Sequence, residues 1–319
     1  MTRKPIVIMG PTASGKTELA LAVSKAAGGE IISADSRQVY KYLSAGTAKP
    51  SGEWVSGLYI VDGVPYHLVD ILDPKAAYDA GSFIAAASRV EREISARGKI
   101  PVFAGGAGLY LQAYWNGLDV LPKADAVLRQ SLQRTAETLG NSVLHAKLRE
   151  VDPQAAAQIP EGNVQRVIRA IEVHALTGIP VSRLWTRQFY GALPTHKAHF
   201  FALDLNKSLL QERISARAHA VFDEMAEETR RLLDSGFPAD CPALKSLGYP
   251  QVIDFIAGKM TKTDAMHRLI TLTAAYAKRQ ATWFRRYKNA VRLAVEDERE
   301  RAGLSQKIIS ACETEKAIN

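Results

Sequence analysis

An apolar run from Pro5 to Met9 leads directly into Gly10, Pro11, Thr12, Ala13, Ser14, Gly15, Lys16 and Thr17, and a helical pattern opens at Lys16. The pattern GxxxxGK[ST] between a strand and a helix leaves a chain few folding options. Its glycines let backbone N–H groups converge on phosphate oxygens, and the helix N-terminus adds positive potential. Lys16 supplies a point charge, and the Thr17 hydroxyl is of the kind that ligands Mg²⁺. The chain is therefore expected to form a P-loop NTPase-like parallel sheet flanked by helices, with a di- or triphosphate held after its first strand. A glycine-rich turn without a ligand is the competing reading, and the complete pattern with both flanks disfavours it.

The rest of the chain fits that start and then departs from it. Apolar runs at Glu30 to Ser33 and Ile100 to Ala104 alternate with helical stretches at Lys16 to Ala27 and Ser82 to Arg97, the signature of βαβ units. From about Leu118 to Thr195 strand signals vanish and helical segments break at Gly140, Pro153, Gly162 and Gly178, which predicts a helical insertion domain. Another apolar run at His199 to Leu205 resumes the sheet, followed by helices over Gln211 to Leu233, Pro250 to Ile256 and Thr263 to Tyr287. The expected division is residues 1–117 and 196–296 for the α/β core, 118–195 for the insertion, and 297–319 for a charged, frayed tail.

Composition narrows the function class. No window approaches the length of apolar residues that spans a bilayer, so no membrane partner and a cytoplasmic location are expected. Cys241 and Cys312 sit in no metal-ligand spacing, so neither zinc nor a disulfide is expected. A formal net charge of +8 favours a polyanionic partner, as phosphates release counterions when they meet Lys and Arg.

The strand ending at Ser33 runs into Ala34, Asp35, Ser36, Arg37, Gln38, Val39 and Tyr40, placing a carboxylate at the sheet edge where α/β proteins bind ligands. Asp35 can act as a general base, organise a metal, or cap the following segment, and spacing alone favours the cap. A P-loop kinase usually carries a later strand ending in a metal-organising Asp, whereas Pro101 to Ala104 runs into Gly105 and Gly106. That counts against phosphoryl transfer.

Several further segments occur in a fixed order: GTAKP (Gly46 to Pro50), PYHLVDI (Pro65 to Ile71), GGAGLYL (Gly105 to Leu111), QRVIRAIEV (Gln165 to Val173), the helix with Arg213 and Arg217, SLGYPQ (Ser246 to Gln251) and YAKRQATWFR (Tyr276 to Arg285). Together with the phosphate loop and DSRQVY, this series resembles the tRNA dimethylallyltransferases. The resemblance implies transfer of a dimethylallyl group from dimethylallyl diphosphate to the exocyclic amine of the adenosine 3′ to a tRNA anticodon, with release of pyrophosphate. It implies Mg²⁺ with Thr17 and the diphosphate on residues Gly10 to Thr17; no obligate protein partner is inferred. By the same resemblance Asp35 is the general base, Lys16 and Arg217 act at the diphosphate, and Arg129 lies near the substrate. The implied tRNA contacts are Asp35, Ser36, Arg37, Gln38, Ala107, Gln165, Arg166, Arg169, Lys278, Arg279, Gln280 and Trp283. The chain departs from the family's usual GGTGLY at Ala107, which has no hydroxyl to donate, and from PHHLID at Tyr66 and Val69.

Periodicity adds detail to two helices. Tyr276, Gln280, Trp283 and Tyr287 share a stripe, with Arg279 and Arg286 beside it and Lys278 and Arg285 further round. In the insertion, Val164, Val167, Ile168 and Ile171 form an apolar stripe that leaves Gln165, Arg169 and Glu172 on the opposite side. His67 has no second metal ligand at suitable spacing and is expected to be structural or a polar contact on the substrate side. A small-molecule kinase and a non-catalytic RNA-binding switch are the two alternatives, separated by transfer from ATP and by tRNA binding without a covalent product.

Overall fold

A computed structural model describes residues 3–185 and 192–318. These divide into two compact units, one holding the chain up to Asn116 and resuming after the insertion, the other beginning at Gly117.

The first unit is a mixed α/β structure around an eight-stranded sheet of order β3-β4-β5-β2-β6-β1-β7-β8. Its strands are β1 (Ile6–Met9), β2 (Gly29–Ser33), β3 (Glu53–Val55), β4 (Leu58–Val61), β5 (Val64–His67), β6 (Ile100–Gly105), β7 (His199–Leu205) and β8 (Val291–Val295). β1 pairs in parallel with both β6 and β7, and β2 pairs in parallel with β6 and β5. Every residue of β1, β2 and β6 is buried, as expected where helices cover both faces of parallel strands.

The helices of this unit are α1 (Lys16–Ala27), α2 (Ala80–Ala96) and α3 (Gly108–Asn116) before the insertion. Those of the insertion are α4 (Ala126–Leu139), α5 (Asn141–Val151), α6 (Pro153–Gln158), α7 (Val164–Thr177) and α8 (Val181–Leu184). After it come α9 (Lys207–Asp234), α10 (Tyr249–Ile256), α11 (Lys262–Phe284) and α12 (Leu304–Ile318). One apolar core joins Ile8, Leu19, Val23, Ile31, Val102 and Phe201. A second gathers Tyr40, Leu43, Phe222, Met225, Tyr249 and Leu269 and ties the segment after β2 to α9, α10 and α11.

Two features differ from the sequence reading. The antiparallel β3–β4–β5 meander and the parallel edge strand β8 are additional strands. The tail is no frayed appendage: after a 3₁₀ turn over Glu298–Gly303, α12 buries Leu304, Ile308 and Cys312 in the main core against α1. A period-four apolar set among charged residues is enough to dock a helix when a complementary face awaits it.

The insertion has its own core of Leu132, Leu144, Leu148, Ala155, Val167, Ile168 and Ile171. Glu172 does not face outward with Gln165 but is fully buried. Its carboxylate accepts from Arg129 Nε at 2.8 Å, Arg129 Nη2 at 2.9 Å and the Asp125 backbone N–H at 2.7 Å, and it also meets Arg169. These donors hold the carboxyl below its ordinary range against the burial that pushes it up. A buried charge needs this many partners, so Arg169, which periodicity left free, and Arg129, which the resemblance set near the substrate, are spent inside the insertion. Gln165 and Arg166 remain exposed on α7.

Candidate active site

The Gly10 to Thr17 loop lies between the buried strand β1 and α1, with Gly15 in the left-handed region at φ +85° as the α1 N-cap. Lys16 Nζ donates to the Pro11 carbonyl at 2.5 Å, curling back over the loop. Burial lowers the Lys16 pKa to about 8, with the Asp35 charge opposing and the Arg217 charge reinforcing that shift. Arg217, on α9, is also shifted downward by burial and also feels Asp35. One helical turn earlier Arg213 donates to the Ala13 carbonyl at 2.8 Å and pairs with Glu298 at 2.6 Å. Lys16, Asp35 and Arg217 thus form one electrostatic cluster at the carboxyl edge of the sheet, assembled from the first loop, the end of β2 and α9.

Asp35 uses its two oxygens differently. Oδ1 accepts from the backbone N–H groups of Arg37 at 2.8 Å and Gln38 at 3.3 Å, closing a turn. Among the described residues no donor meets Oδ2. The cap weighed from the sequence is therefore present, and it occupies Oδ1 alone.

Beside this cluster lies a cavity of about 370 Å³ whose wall includes Ser36, Arg37, Ala107, Tyr276, Arg279 and Trp283. Sequence reading missed Tyr78, which also lines it: the hydroxyl is buried without a partner, and burial pushes its pKa up to about 12. It also missed Tyr66. This phenol is 3% exposed, its hydroxyl interacts with the side chains of Thr17 and Ser33, and burial raises its pKa. The departure at Tyr66 therefore lands against the proposed metal-binding hydroxyl.

Besides Arg169, two further residues expected to touch RNA have their polar atoms engaged within the protein. Gln38 is buried, accepting from Ser33 Oγ at 2.9 Å and donating to the Ala48 carbonyl at 3.0 Å. Gln280 is 7% exposed; its Oε1 accepts from the Thr12 N–H at 2.7 Å and its Nε2 donates to the Gly106 carbonyl at 2.8 Å. Lys278, Arg279, Arg285 and Arg286 are exposed on or just after α11. The Arg279 guanidinium lies 5.7 Å from the Tyr276 ring centre and that of Arg286 lies 5.1 Å from Trp283. The buried stripe of α11 is Thr273, Ala277, Gln280 and Phe284, which turns Tyr276 and Trp283 toward the cavity rather than the core. His67 pairs with Glu30 at 2.7 Å, a structural contact.

Comparison with known proteins decides the lineage. A family model described as IPP transferase matches residues 38–287, and one described as isopentenyl transferase matches residues 4–64. The chain belongs to the IPP transferase family. A tRNA dimethylallyltransferase of Elusimicrobium minutum is 51% identical over 89% of this chain and 92% of its own length. One from Myxococcus xanthus is 43% identical over 90% and 91%. The crystal structure of a tRNA isopentenylpyrophosphate transferase from Bacillus halodurans superposes with a TM-score of 0.68 at 32% identity, covering 99% of both chains. Among the described residues no helix is long and apolar enough to cross a membrane, and no cluster of three His, Cys, Asp or Glu side chains could hold a metal.

Proposed function

We propose that this family member transfers the dimethylallyl group of dimethylallyl diphosphate to the exocyclic amine of the adenosine 3′ to a tRNA anticodon, in the cytoplasm, releasing pyrophosphate. The observation that carries the reading is the joining of two chemistries at one sheet edge. Lys16 of the glycine-rich loop and Arg217 bring positive charge where a diphosphate would leave, and Asp35 directly precedes Ser36 and Arg37 in the wall of a cavity that would suit a flipped base and a short isoprenoid. The decisive experiment is mass spectrometry of tRNA nucleosides after incubation with protein, Mg²⁺ and dimethylallyl diphosphate. A five-carbon addition to adenosine is expected; unmodified adenosine with intact tRNA binding would leave the non-catalytic alternative standing.

In this mechanism the amine attacks the primary allylic carbon while the carbon–oxygen bond to the diphosphate breaks. Delocalisation into the purine makes the amine a weak nucleophile, so Asp35 accepts its proton as the new bond forms. Lys16, Arg217 and loop amides stabilise the charge gathering on the departing pyrophosphate. The donor set fits Mg²⁺ of the phosphate-bound type, which takes one or two protein oxygens and fills the rest with phosphate and water. Thr17, with Tyr66 against its hydroxyl, would hold it, and it would neutralise leaving-group charge when bound. Gln165 and Arg166 on α7, together with Ser36, Arg37, Ala107, Lys278, Arg279 and Trp283, are the proposed tRNA-facing set.

The lowered Lys16 pKa makes a pH prediction. An anionic diphosphate favours the ammonium form and raises this pKa, so binding takes up a proton above about pH 8. Affinity for dimethylallyl diphosphate is expected to be level with respect to this group below that pH and to fall above it, by up to about tenfold per pH unit. Calorimetric titration at several pH values should show the break in the wild type and none in Lys16→Met. A break that persists in the variant would assign it elsewhere.

Lys278→Ala and Arg279→Ala are each expected to weaken tRNA binding and to make its salt dependence shallower by about 0.7–0.9 in the log–log slope. Filter binding across a salt series checks this. Unchanged slopes in both would leave α11 as a packed helix with a solvated basic face.

A further inference from the structure

α11 touches both halves of the reaction site through one side chain. On one side Gln280 Oε1 holds the Thr12 N–H of the phosphate loop at 2.7 Å; on the other its Nε2 holds the Gly106 carbonyl of the cavity turn at 2.8 Å. The fit is close. A Cβ on Gly106 would fall 2.3 Å from Gln280 Nε2, and one on Gly108 would fall 2.5 Å from the Trp283 ring, so glycines let the turn lie directly on this helix. The turn continues to the base: the Ala107 N–H donates to the Ala34 carbonyl at 3.1 Å, the residue before Asp35. Thr12, Gln280, the Gly106–Ala107 turn and Ala34 therefore form a single, partly buried strap. The next residues outward from Gln280 on the same helix are the exposed cations Lys278 and Arg279.

We infer that Gln280 is a positioning residue that couples the two substrate sites: RNA docked on the basic face of α11 steadies the helix, and the Gln280 amide passes that order to the phosphate loop and to the segment bearing Asp35. This inference rests on the tRNA reading of α11 given above. Only a side chain offering both an acceptor and a donor can bridge an N–H and a carbonyl in this way, which is the chemistry of a carboxamide. Gln280 lines the cavity, but each of its polar atoms is engaged by a backbone partner, so its substitution acts first on this link. Coupling between sites is reciprocal and is measured as the ratio of affinities with and without the second ligand.

The test uses inorganic pyrophosphate with Mg²⁺ as the probe and an unmodified tRNA carrying adenosine beside its anticodon, a pair that cannot react. Calorimetry gives the pyrophosphate dissociation constant with and without saturating tRNA. In the wild type tRNA is expected to tighten pyrophosphate binding by about fivefold or more, the lower end of typical couplings. Gln280→Met, which keeps the length and loses both polar atoms, should bring the ratio to roughly one while leaving the affinity for tRNA alone within about twofold. Gly106→Ala attacks the strap from its other end, displacing the amide by contact, and should do the same, so a folding defect in one variant does not decide the matter. A ratio retained in both variants, or absent from the wild type, overturns the coupling. If tRNA fails to bind the wild type at all, the tRNA reading itself falls, and the two failures remain distinct.

Discussion

Asp35→Asn is expected to lose roughly 10²- to 10⁴-fold in single-turnover prenyl transfer while keeping its melting temperature and most of its substrate affinity. The two oxygens explain the separation. Asn retains an acceptor for the Arg37 and Gln38 N–H groups now held by Oδ1, so the turn survives. What it cannot do is take the adenosine proton at the position of Oδ2. Asp35→Ala should be as slow and also less stable, because the turn loses its acceptor. A lost base acts in the transition state, so the rate constant at saturating substrates should drop, whereas a lost RNA contact would mainly raise the Michaelis constant. A well-folded Asp35→Asn protein with near-wild-type turnover would reduce Asp35 to a turn-capping residue.

Glu228→Leu is expected to cost about 3 kcal/mol or more in stability. Glu228 lies on α9, 3% exposed, and its carboxylate accepts from the N–H groups of Ser44 at 2.8 Å, Ala45 at 3.2 Å and Gly46 at 3.2 Å, and from the Tyr249 hydroxyl. Leucine fills the volume and strands four donors, each worth about 1–3 kcal/mol when left dry. The damage should spread to the site, because Ala48 in the same loop receives the Gln38 amide. Glu228→Gln should fall between, since it keeps one acceptor oxygen and turns an NH₂ toward donors. Urea unfolding of the three proteins checks the order; a Glu228→Leu loss below about 1 kcal/mol would mean that water or a shifted loop satisfies those groups.

The legible parts of this protein share a physical cause. β1 and β6 are buried, largely apolar runs because both faces are covered, β2 and β7 have apolar centres at Ile31 and Ile32 and at Phe200 to Leu203, and the Gly10 to Thr17 loop has a spacing that its chemistry demands. The meander β3–β5 was readable but unread: Ser56-Gly57 and Asp62-Gly63 are turn pairs, and all four residues take positive φ. Likewise Leu304, Ile308 and Cys312 repeat every fourth residue within a charged tail. Other features carry no local signal. Glu172, Glu228 and Gln280 are polar residues in polar-looking helices, and each is buried because partners distant in sequence converge on it. Periodicity sorts apolar from polar positions, yet it cannot see a buried amide whose two partners belong to residues 12 and 106.

The strand order has a consequence for synthesis. β1 emerges from the ribosome first but occupies the middle of the sheet, and its neighbours β6 and β7 stand on opposite sides of the insertion in sequence. One edge of β1 must therefore wait, unpaired and apolar, until the whole insertion has been translated and β7 follows it, and β7 in turn waits for β8. Such non-local parallel pairing is slow and leaves strand edges open to misassociation. The insertion, whose core closes among its own helices, has no reason to wait. Nascent chains halted before β7 should thus carry a folded helical unit on an unfinished sheet, and it is there that a chaperone would find its substrate.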